Sequence, residues 1–230
     1  MRILLSLVVS LSFTISVSAQ IDYPDRGFTN KAEAKNLIVN GLKEGTWVEY
    51  HRLYDDTTDT LDIVLIVYKA NIPYGIEREY YNDWKLQSEI PYKDGIINGV
   101  RKGYYKSGIL FYKAPYKDGK QNGVDTTYYE SGKLNYLTSY VNGMLDGITK
   151  GYYERSGKLQ NETKYNHDTP ELSKDYYESG KLKSVTIYVG YQKERSKDYY
   201  ESGKLKSETI YTNGVAGTTK TYDENGKEIK

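Results

Sequence analysis

The chain has 230 residues and no cysteine, which excludes disulfide bonds, thiolate catalysis and a lipidated cysteine. Its 32 basic and 31 acidic residues give a formal net charge of +1, which argues against a protein that binds nucleic acid or another polyanion. Tyrosine is the dominant aromatic residue, with 27 copies against 3 phenylalanines and 2 tryptophans. Because tyrosine favours strands and tolerates a half-covered position, this composition indicates a thin sheet rather than a thick core.

The N-terminus has the pattern of a secretory signal peptide. Arg2 precedes an apolar run over residues 3–17, and small residues lead to a cleavage position after Ala19. The run is interrupted by hydroxyl side chains and is too short for a membrane-spanning helix of about 20 apolar residues. We therefore expect residues 1–19 to be a signal peptide and the protein to be periplasmic, associated with the outer membrane, or extracellular. Loss of Arg2 leaves a formally neutral mature chain.

A leader and a repeat array follow. Residues 20–36 show no hydrophobic period and are predicted to be a loose leader, and the array is predicted to occupy residues 37–230. The heptapeptide Tyr-Tyr-Glu-Ser-Gly-Lys-Leu occurs at 128–134, 176–182 and 199–205, with looser copies elsewhere. The first tyrosine of each copy recurs at a constant interval from Tyr80 to Tyr176, and the interval is then shorter by one up to Tyr222. A short, constant period of this kind is typical of stacked units that do not fold alone.

Each unit contains two strand-like segments and two turns. One turn contains Asp-Gly or Asn-Gly, a pair that favours the positive backbone φ of tight hairpins, and the other contains Ser-Gly-Lys or its equivalent. Alternation predicts that Leu134, Tyr136, Thr138 and Tyr140 share one face of a sheet. The sequence therefore predicts an all-β fold, an elongated, twisted antiparallel sheet of tandem β-hairpin repeats of about 23–24 residues each.

Two prolines punctuate the predicted strands. Pro91 and Pro115 each precede the last tyrosine of a strand-like segment. Since proline has no N–H to donate to a sheet, we expect a strand end or a bulge at both positions.

These motifs resemble the MORN repeat, and more closely the bacterial MORN repeat variant. The family pattern of Tyr-x-Asx-Gly-x-x-x-Gly, followed by a tyrosine and a glycine turn, occurs from Tyr92 to Gly108, from Tyr116 to Gly132 and from Tyr140 to Gly157. The resemblance covers about residues 37–230 and implies a sheet of successive hairpins. It also implies a binding or scaffold module. Some bacterial relatives are labelled YwqK-type antitoxins, and some eukaryotic ones are associated with membranes.

The sequence does not predict an enzyme, a metal site or a cofactor. His51 and His167 are isolated from each other in sequence and have no cysteine to join them in a zinc site. The turn serines recur in register, whereas a nucleophile would occur once beside a base; they are Ser131, Ser179 and Ser202. One acidic cluster does not repeat, but it lacks the spacing of a calcium loop and is interpreted as a solvated loop tip; it contains Asp55, Asp56, Asp59 and Asp62.

The paired tyrosines support one functional hypothesis beside a structural one. As ring ladders between neighbouring hairpins they would contribute about 0.2–1 kcal/mol per cross-strand pair. Alternatively, the second tyrosine of each pair would form a binding strip for a peptide or glycan, with Lys133, Lys158, Lys181 and Lys204 nearby. The strip tyrosines are Tyr81, Tyr105, Tyr129, Tyr153, Tyr177 and Tyr200.

Together these features predict an exported, non-catalytic repeat protein that acts as a binding or scaffold module of the bacterial envelope. Its partner would be a protein or a glycan rather than a nucleic acid, and peripheral association with the envelope membrane is compatible with the sequence. The alternative is an antitoxin or immunity protein that neutralises a partner toxin.

Overall fold

The structure is a computed structural model that describes residues 21–52 and 61–229. The predicted signal peptide and the acidic positions Asp55, Asp56 and Asp59 lie outside the described residues. Apart from a short 3₁₀ turn at Lys31–Glu33, the regular elements of this part of the chain are strands. None of its helices has the length and apolar character needed to cross a membrane.

The strands follow one another along a single open sheet. In chain order they are β1 (Leu37–Val39), β2 (Leu42–Arg52), β3 (Leu61–Lys69), β4 (Ile72–Tyr80), β5 (Leu86–Lys93), β6 (Ile96–Ile97), β7 (Gly99–Tyr104), β8 (Leu110–Lys117), β9 (Lys120–Gln121), β10 (Gly123–Tyr128), β11 (Leu134–Val141), β12 (Met144–Leu145), β13 (Gly147–Tyr152), β14 (Leu159–Asn166), β15 (Thr169–Tyr176), β16 (Leu182–Val189), β17 (Gln192–Tyr199), β18 (Leu205–Thr212), β19 (Val215–Tyr222) and β20 (Glu228–Ile229).

All pairings between these strands are antiparallel and join strands that are consecutive in the chain or separated by a single two-residue strand. The two-residue strands β6, β9 and β12 lie beside β5, β8 and β11, and each leads directly into the longer strand that continues the pairing. This arrangement confirms the prediction of an all-β array of tandem hairpins.

Tight turns with positive φ at both central residues form one edge of the sheet. Asp94 has a φ of 52° and Gly95 one of 77°, and the turns beginning at Asp118 and Asn142 repeat this geometry. These values define the type I′ turn, whose twist matches that of the flanking strands. The Gly95 amide also donates to the Pro73 carbonyl at 3.1 Å, so the turn is tied to the preceding hairpin.

The two prolines lie inside strands β5 and β8 rather than at a strand end. The irregularity falls on the opposite strand, because Asn98 separates β6 from β7 and its amide donates to the Pro91 carbonyl at 2.9 Å. Asn122 makes the same bond to Pro115 at 2.9 Å. Proline therefore supplies an acceptor to the interrupted strand at a position where its missing N–H does no harm.

A β-bulge at the Ser-Gly-Lys end of each hairpin shifts one leucine to the other face. Tyr128 pairs with Leu134 and Thr127 pairs with Tyr136, so one extra residue lies between the two paired positions. The expectation that Leu134 shares a face with Tyr136 is therefore wrong, because the bulge changes the alternation. The same pairing recurs at Tyr80–Leu86, Tyr104–Leu110, Tyr152–Leu159, Tyr176–Leu182 and Tyr199–Leu205.

The sheet has two chemically different faces. Face B carries the row of paired tyrosines and leucines, which at Tyr80 and Leu86 joins the most buried cluster of the protein. Face A carries the side chains that alternate with these, and it is defined by the row through Glu77, Arg101 and Asp125.

Residues 21–36, predicted to be a loose leader, pack on face B of the first strands. Phe28 is 4% exposed and lies in the cluster with Leu65 and Tyr80. The Arg78 guanidinium donates to the Arg26 carbonyl at 2.8 Å and fixes this segment against β4. The leader therefore covers the apolar face of the first hairpins, as the end of a repeat array requires.

The second tyrosine of each pair bonds its hairpin to the next one. The Tyr129 hydroxyl donates to the Tyr152 carbonyl at 2.7 Å. We name this contact the tyrosine latch. It recurs between Tyr81 and Tyr104 at 3.2 Å, Tyr105 and Tyr128 at 2.8 Å, Tyr153 and Tyr176 at 2.7 Å, Tyr177 and Tyr199 at 2.7 Å, and Tyr200 and Tyr222 at 2.8 Å. At the last unit Asp223 replaces the second tyrosine and Glu228 replaces the leucine opposite Tyr222, so the repeating contacts end there.

We expect Tyr129→Phe to lower the free energy of unfolding by about 1 kcal/mol, because it removes one partly buried hydrogen bond and keeps the ring. Urea denaturation followed by circular dichroism measures the change. Tyr136→Phe is the matched control, since Tyr136 is 37% exposed and its hydroxyl makes no hydrogen bond to another described residue. Equal stability of the two variants would contradict the latch.

Candidate functional site

The predicted strip tyrosines lie at the edge formed by the Ser-Gly-Lys turns, and all six are partly exposed. Their hydroxyls are committed to the latch, so the rings are the groups left to contact a partner. One side of a ring is covered by the extra residue of the bulge: Phe111 lies 4.9 Å from the Tyr105 ring, and the Lys206 ammonium lies 5.7 Å from the Tyr200 ring. The strip is therefore a row of fixed rings about 9.6 Å apart, two strand spacings.

Three of the four lysines predicted near the strip bind the next turn of the array. The Lys133 ammonium donates to the Glu154 carbonyl at 3.0 Å, and Lys204 donates to the Glu224 carbonyl at 2.7 Å. Lys158 makes the equivalent contact at 3.2 Å to Ser179. These lysines reinforce the latch, and no such contact of the Lys181 ammonium is seen among the described residues.

A second group of side chains, which the sequence analysis missed, crosses the middle of face A. Glu77, Arg101 and Asp125 are separated by the repeat period and occupy the same position of three consecutive units. In the later units this position holds only hydroxyl residues, namely Thr149, Ser173, Ser196 and Thr219. The sequence does contain a sign of this group, because three units have a charged residue at a repeat position that is uncharged in the later units. The pattern is visible only when the units are aligned strand by strand.

The pairing register brings these three charges into one line. Glu77 pairs with Ile90, Arg101 pairs with Ala114, and Asp125 pairs with Thr138. The registers between β5 and β7 and between β8 and β10 continue the same line across the sheet. The charges therefore lie on β4, β7 and β10, with a step of about 9.6 Å from one to the next. We name these three residues the charged row.

The charged row holds two buried polar atoms without a hydrogen-bond partner among the described residues, and one carboxyl that makes no hydrogen bond with any of them. Glu77 is 8% exposed and makes no hydrogen bond or ion pair with another described residue. The Nε of Arg101 and the Oδ1 of Asp125 are buried without a hydrogen-bond partner among the described residues. The other carboxylate oxygen of Asp125 accepts from the Gln121 amide at 2.6 Å. Buried polar atoms are nearly always satisfied in folded proteins, so two exceptions in one line, beside the unbonded carboxyl of Glu77, indicate a site that receives something else.

Burial makes both carboxyls of the charged row difficult to ionise. It raises the pKa of Glu77 to about 7, and the charges of Glu79 and Glu49 act in the same direction while Arg101 opposes them. It also raises the pKa of Asp125 to about 6, against the hydrogen bond from Gln121. Perturbed carboxyls of this kind are more frequent at functional sites than elsewhere.

Tyrosine rings flank the charged row on face A. Burial and the charge of Glu77 raise the pKa of Tyr92 to about 12, and burial and the charge of Asp125 raise that of Tyr140. The Arg101 guanidinium lies 5.8 Å from the centre of the Tyr112 ring. Carboxylates beside aromatic rings form an environment that accommodates an organic cation. Within the described residues, no group of three or more His, Asp or Glu side chains is placed to hold a metal ion.

We expect Glu77→Gln to stabilise the protein at neutral and alkaline pH but not in acid. The raised pKa means that the folded state keeps a proton that the unfolded chain loses above its ordinary value of 4.5. The contribution of Glu77 to the free energy of unfolding therefore falls by about 3 kcal/mol in total as the pH rises from 4.5 to about 7. Urea denaturation of both proteins at pH 4 and pH 8 measures the difference, and a constant difference across that range would contradict the assignment.

The profile of the MORN repeat variant matches five segments of the chain, residues 73–94, 97–118, 121–142, 172–189 and 195–213. A search of curated proteins found no match. The five segments run from β4 to the turn after β18, and the first three follow one another at the repeat period, as the hairpins do. Proteins with this repeat generally lack catalytic activity and serve as binding or scaffold modules. The chain is therefore a repeat protein that carries repeats of the MORN repeat variant family between residues 73 and 213.

Proposed function

We propose that this protein is an exported, non-catalytic scaffold of the bacterial envelope that binds a protein partner along the strip and the adjoining part of face A. The observation that carries the proposal is the repetition of fixed, partly exposed tyrosine rings whose hydroxyls are already bonded to the next hairpin. Such rings offer contact area without losing conformational freedom on binding, which favours affinity.

The strip and face A form one continuous surface in the hairpin of β7 and β8. The ring of Tyr105 lies 4.9 Å from Phe111, which lies 5.5 Å from Tyr112. Tyr112 in turn faces the Arg101 guanidinium at 5.8 Å. A partner that contacts the strip at Tyr105 would therefore reach the charged row without crossing another element.

The chemistry of this surface favours a protein over a glycan. Tyrosine rings alone would accept either, because both present apolar patches for stacking. The charged row, however, combines carboxyls with an arginine whose Nε lacks an acceptor among the described residues, and a polypeptide offers both cationic side chains and carbonyl oxygens. Neutral sugars would leave the charge of Glu77 uncompensated.

Export is tested by locating the tagged full-length protein in a bacterial host. We expect it in the envelope or the medium, with residues 1–19 absent by mass spectrometry, because the N-terminus has the pattern of a signal peptide. A variant lacking residues 2–19 is the control and should remain in the cytoplasm. Cytoplasmic retention of the full-length protein with Met1 in place would contradict the proposal.

Partner binding is tested with two matched variants of the strip. The pair Tyr129→Phe and Tyr153→Phe keeps both rings, and we expect it to retain binding of the partner purified from envelope extract. The pair Tyr129→Leu and Tyr153→Leu removes the rings, and we expect binding to weaken by about tenfold or more. Both pairs lose the same two latches, so equal binding by the two would contradict a role for the rings.

The identity of the captured partner decides between the proposal and its alternatives. A saturable, stoichiometric protein partner supports the scaffold. A toxin that the protein neutralises would support the antitoxin or immunity function instead. Capture that survives protease but not glycan removal, or capture of membrane vesicles alone, would contradict the protein partner.

A further inference from the structure

We propose that the charged row of face A binds a basic segment of a protein partner in an extended conformation. One cationic side chain lies at Glu77, a second lies at Asp125, and a backbone carbonyl between them accepts from the Nε of Arg101. The inference rests on the proposed function and adds to it the chemistry of the partner and the residues that recognise it.

The unpartnered atoms of the charged row define what the ligand must supply. Among the described residues, the buried Oδ1 of Asp125 needs a hydrogen-bond donor and the buried Nε of Arg101 needs an acceptor. The carboxyl of Glu77 makes no hydrogen bond to another described residue and can also accept from a donor. Donors at both ends and an acceptor in the middle correspond to two lysine or arginine side chains on one stretch of polypeptide. A single ammonium or a free amine would satisfy one end of the row and leave the rest unpartnered.

The later units show that the same repeat position needs no ligand when it is neutral. In the line across the later strands, Thr163 and Ser173 bond each other at 3.1 Å, and Thr209 and Thr219 do so at 3.0 Å. Hydroxyls can donate and accept, so they satisfy one another across the strands. The charged side chains of the charged row cannot satisfy one another in this way, because they are two strands apart. They are found only in three consecutive units.

Two neighbouring carboxylates of face A already make contacts with other described residues. Glu79 accepts from the Ser88 hydroxyl at 2.5 Å. Glu49 is paired with the Lys43 ammonium at 2.5 Å. Glu79 has no cationic partner among the described residues and adds its charge beside Glu77, so the uncompensated charge of this region is negative and would repel an acidic segment.

The geometry fixes the spacing of the basic residues. Glu77 and Asp125 are four strand spacings apart, about 19 Å. An extended polypeptide advances about 3.3 Å per residue, so the two cations lie roughly six positions apart along it. An even separation also places both side chains on the same side of the extended segment. The expected ligand is therefore a segment with two basic residues and roughly five others between them.

Fluorescence anisotropy with synthetic peptides tests the inference on the intact protein. The probe is a labelled peptide with two lysines and a run of five threonine and serine positions between them. We expect it to bind at least about tenfold more tightly than a peptide of the same composition in which only two positions separate the lysines. Glu77→Gln and Asp125→Asn should each weaken binding of the first peptide by about tenfold, because each removes one anionic contact.

Glu201→Gln is the matched control, since Glu201 is an exposed acidic residue beside the last Ser-Gly-Lys turn and should have no effect. Glu77→Gln is expected to keep the fold, because it removes a buried charge at neutral pH. Equal affinity for both peptides, or an equal loss with Glu201→Gln, would mean general charge attraction and overturn the inference. If the variants at 77 and 125 still bind the envelope partner at full strength, the inference fails while the proposed scaffold function stands.

Discussion

From Tyr81 to Tyr200, each hairpin of the array depends on the next strand pair along the sheet for the hydrogen-bond acceptor of its second tyrosine. A two-stranded hairpin is marginally stable alone, and a single-layer sheet offers no second layer to cover it. The latch is therefore joined in several units by a lysine contact, and the turns up to Asp168 add an amide bonded to the hairpin before them. Stability resides at the junctions between units rather than in any one unit, as nearest-neighbour models of repeat proteins describe.

The charged row departs from the regularity of the array. A repeat position filled by hydroxyls in four units is filled by Glu77, Arg101 and Asp125 in three others. The hydroxyls satisfy one another, whereas the charged residues leave atoms unpartnered among the described residues and make the folded state less stable at neutral pH. Residues that break a local rule without a compensating gain in stability are concentrated at functional sites.

Much of the fold could be predicted from the sequence, because spacing and turn chemistry determine a repeat. The constant period and the Asx-Gly turns specified the hairpins, and positive φ at Asp94 and Gly95 confirms the turn type. The bulge at Leu134 could not be predicted, because alternation assumes unbroken pairing. The packing of Phe28 depends on contacts far away in sequence. The charged row required knowledge of the register, since residues one period apart meet in one line only after the strands pair.

Native-state hydrogen exchange across the junction between the hairpins β10–β11 and β13–β14 tests the central claim most directly. If stability resides at the junctions, the amides of neighbouring hairpins exchange with one shared free energy, and Tyr129→Phe lowers protection on both sides of its junction. The account is contradicted if each hairpin exchanges with its own free energy and the substitution affects only the hairpin that carries it.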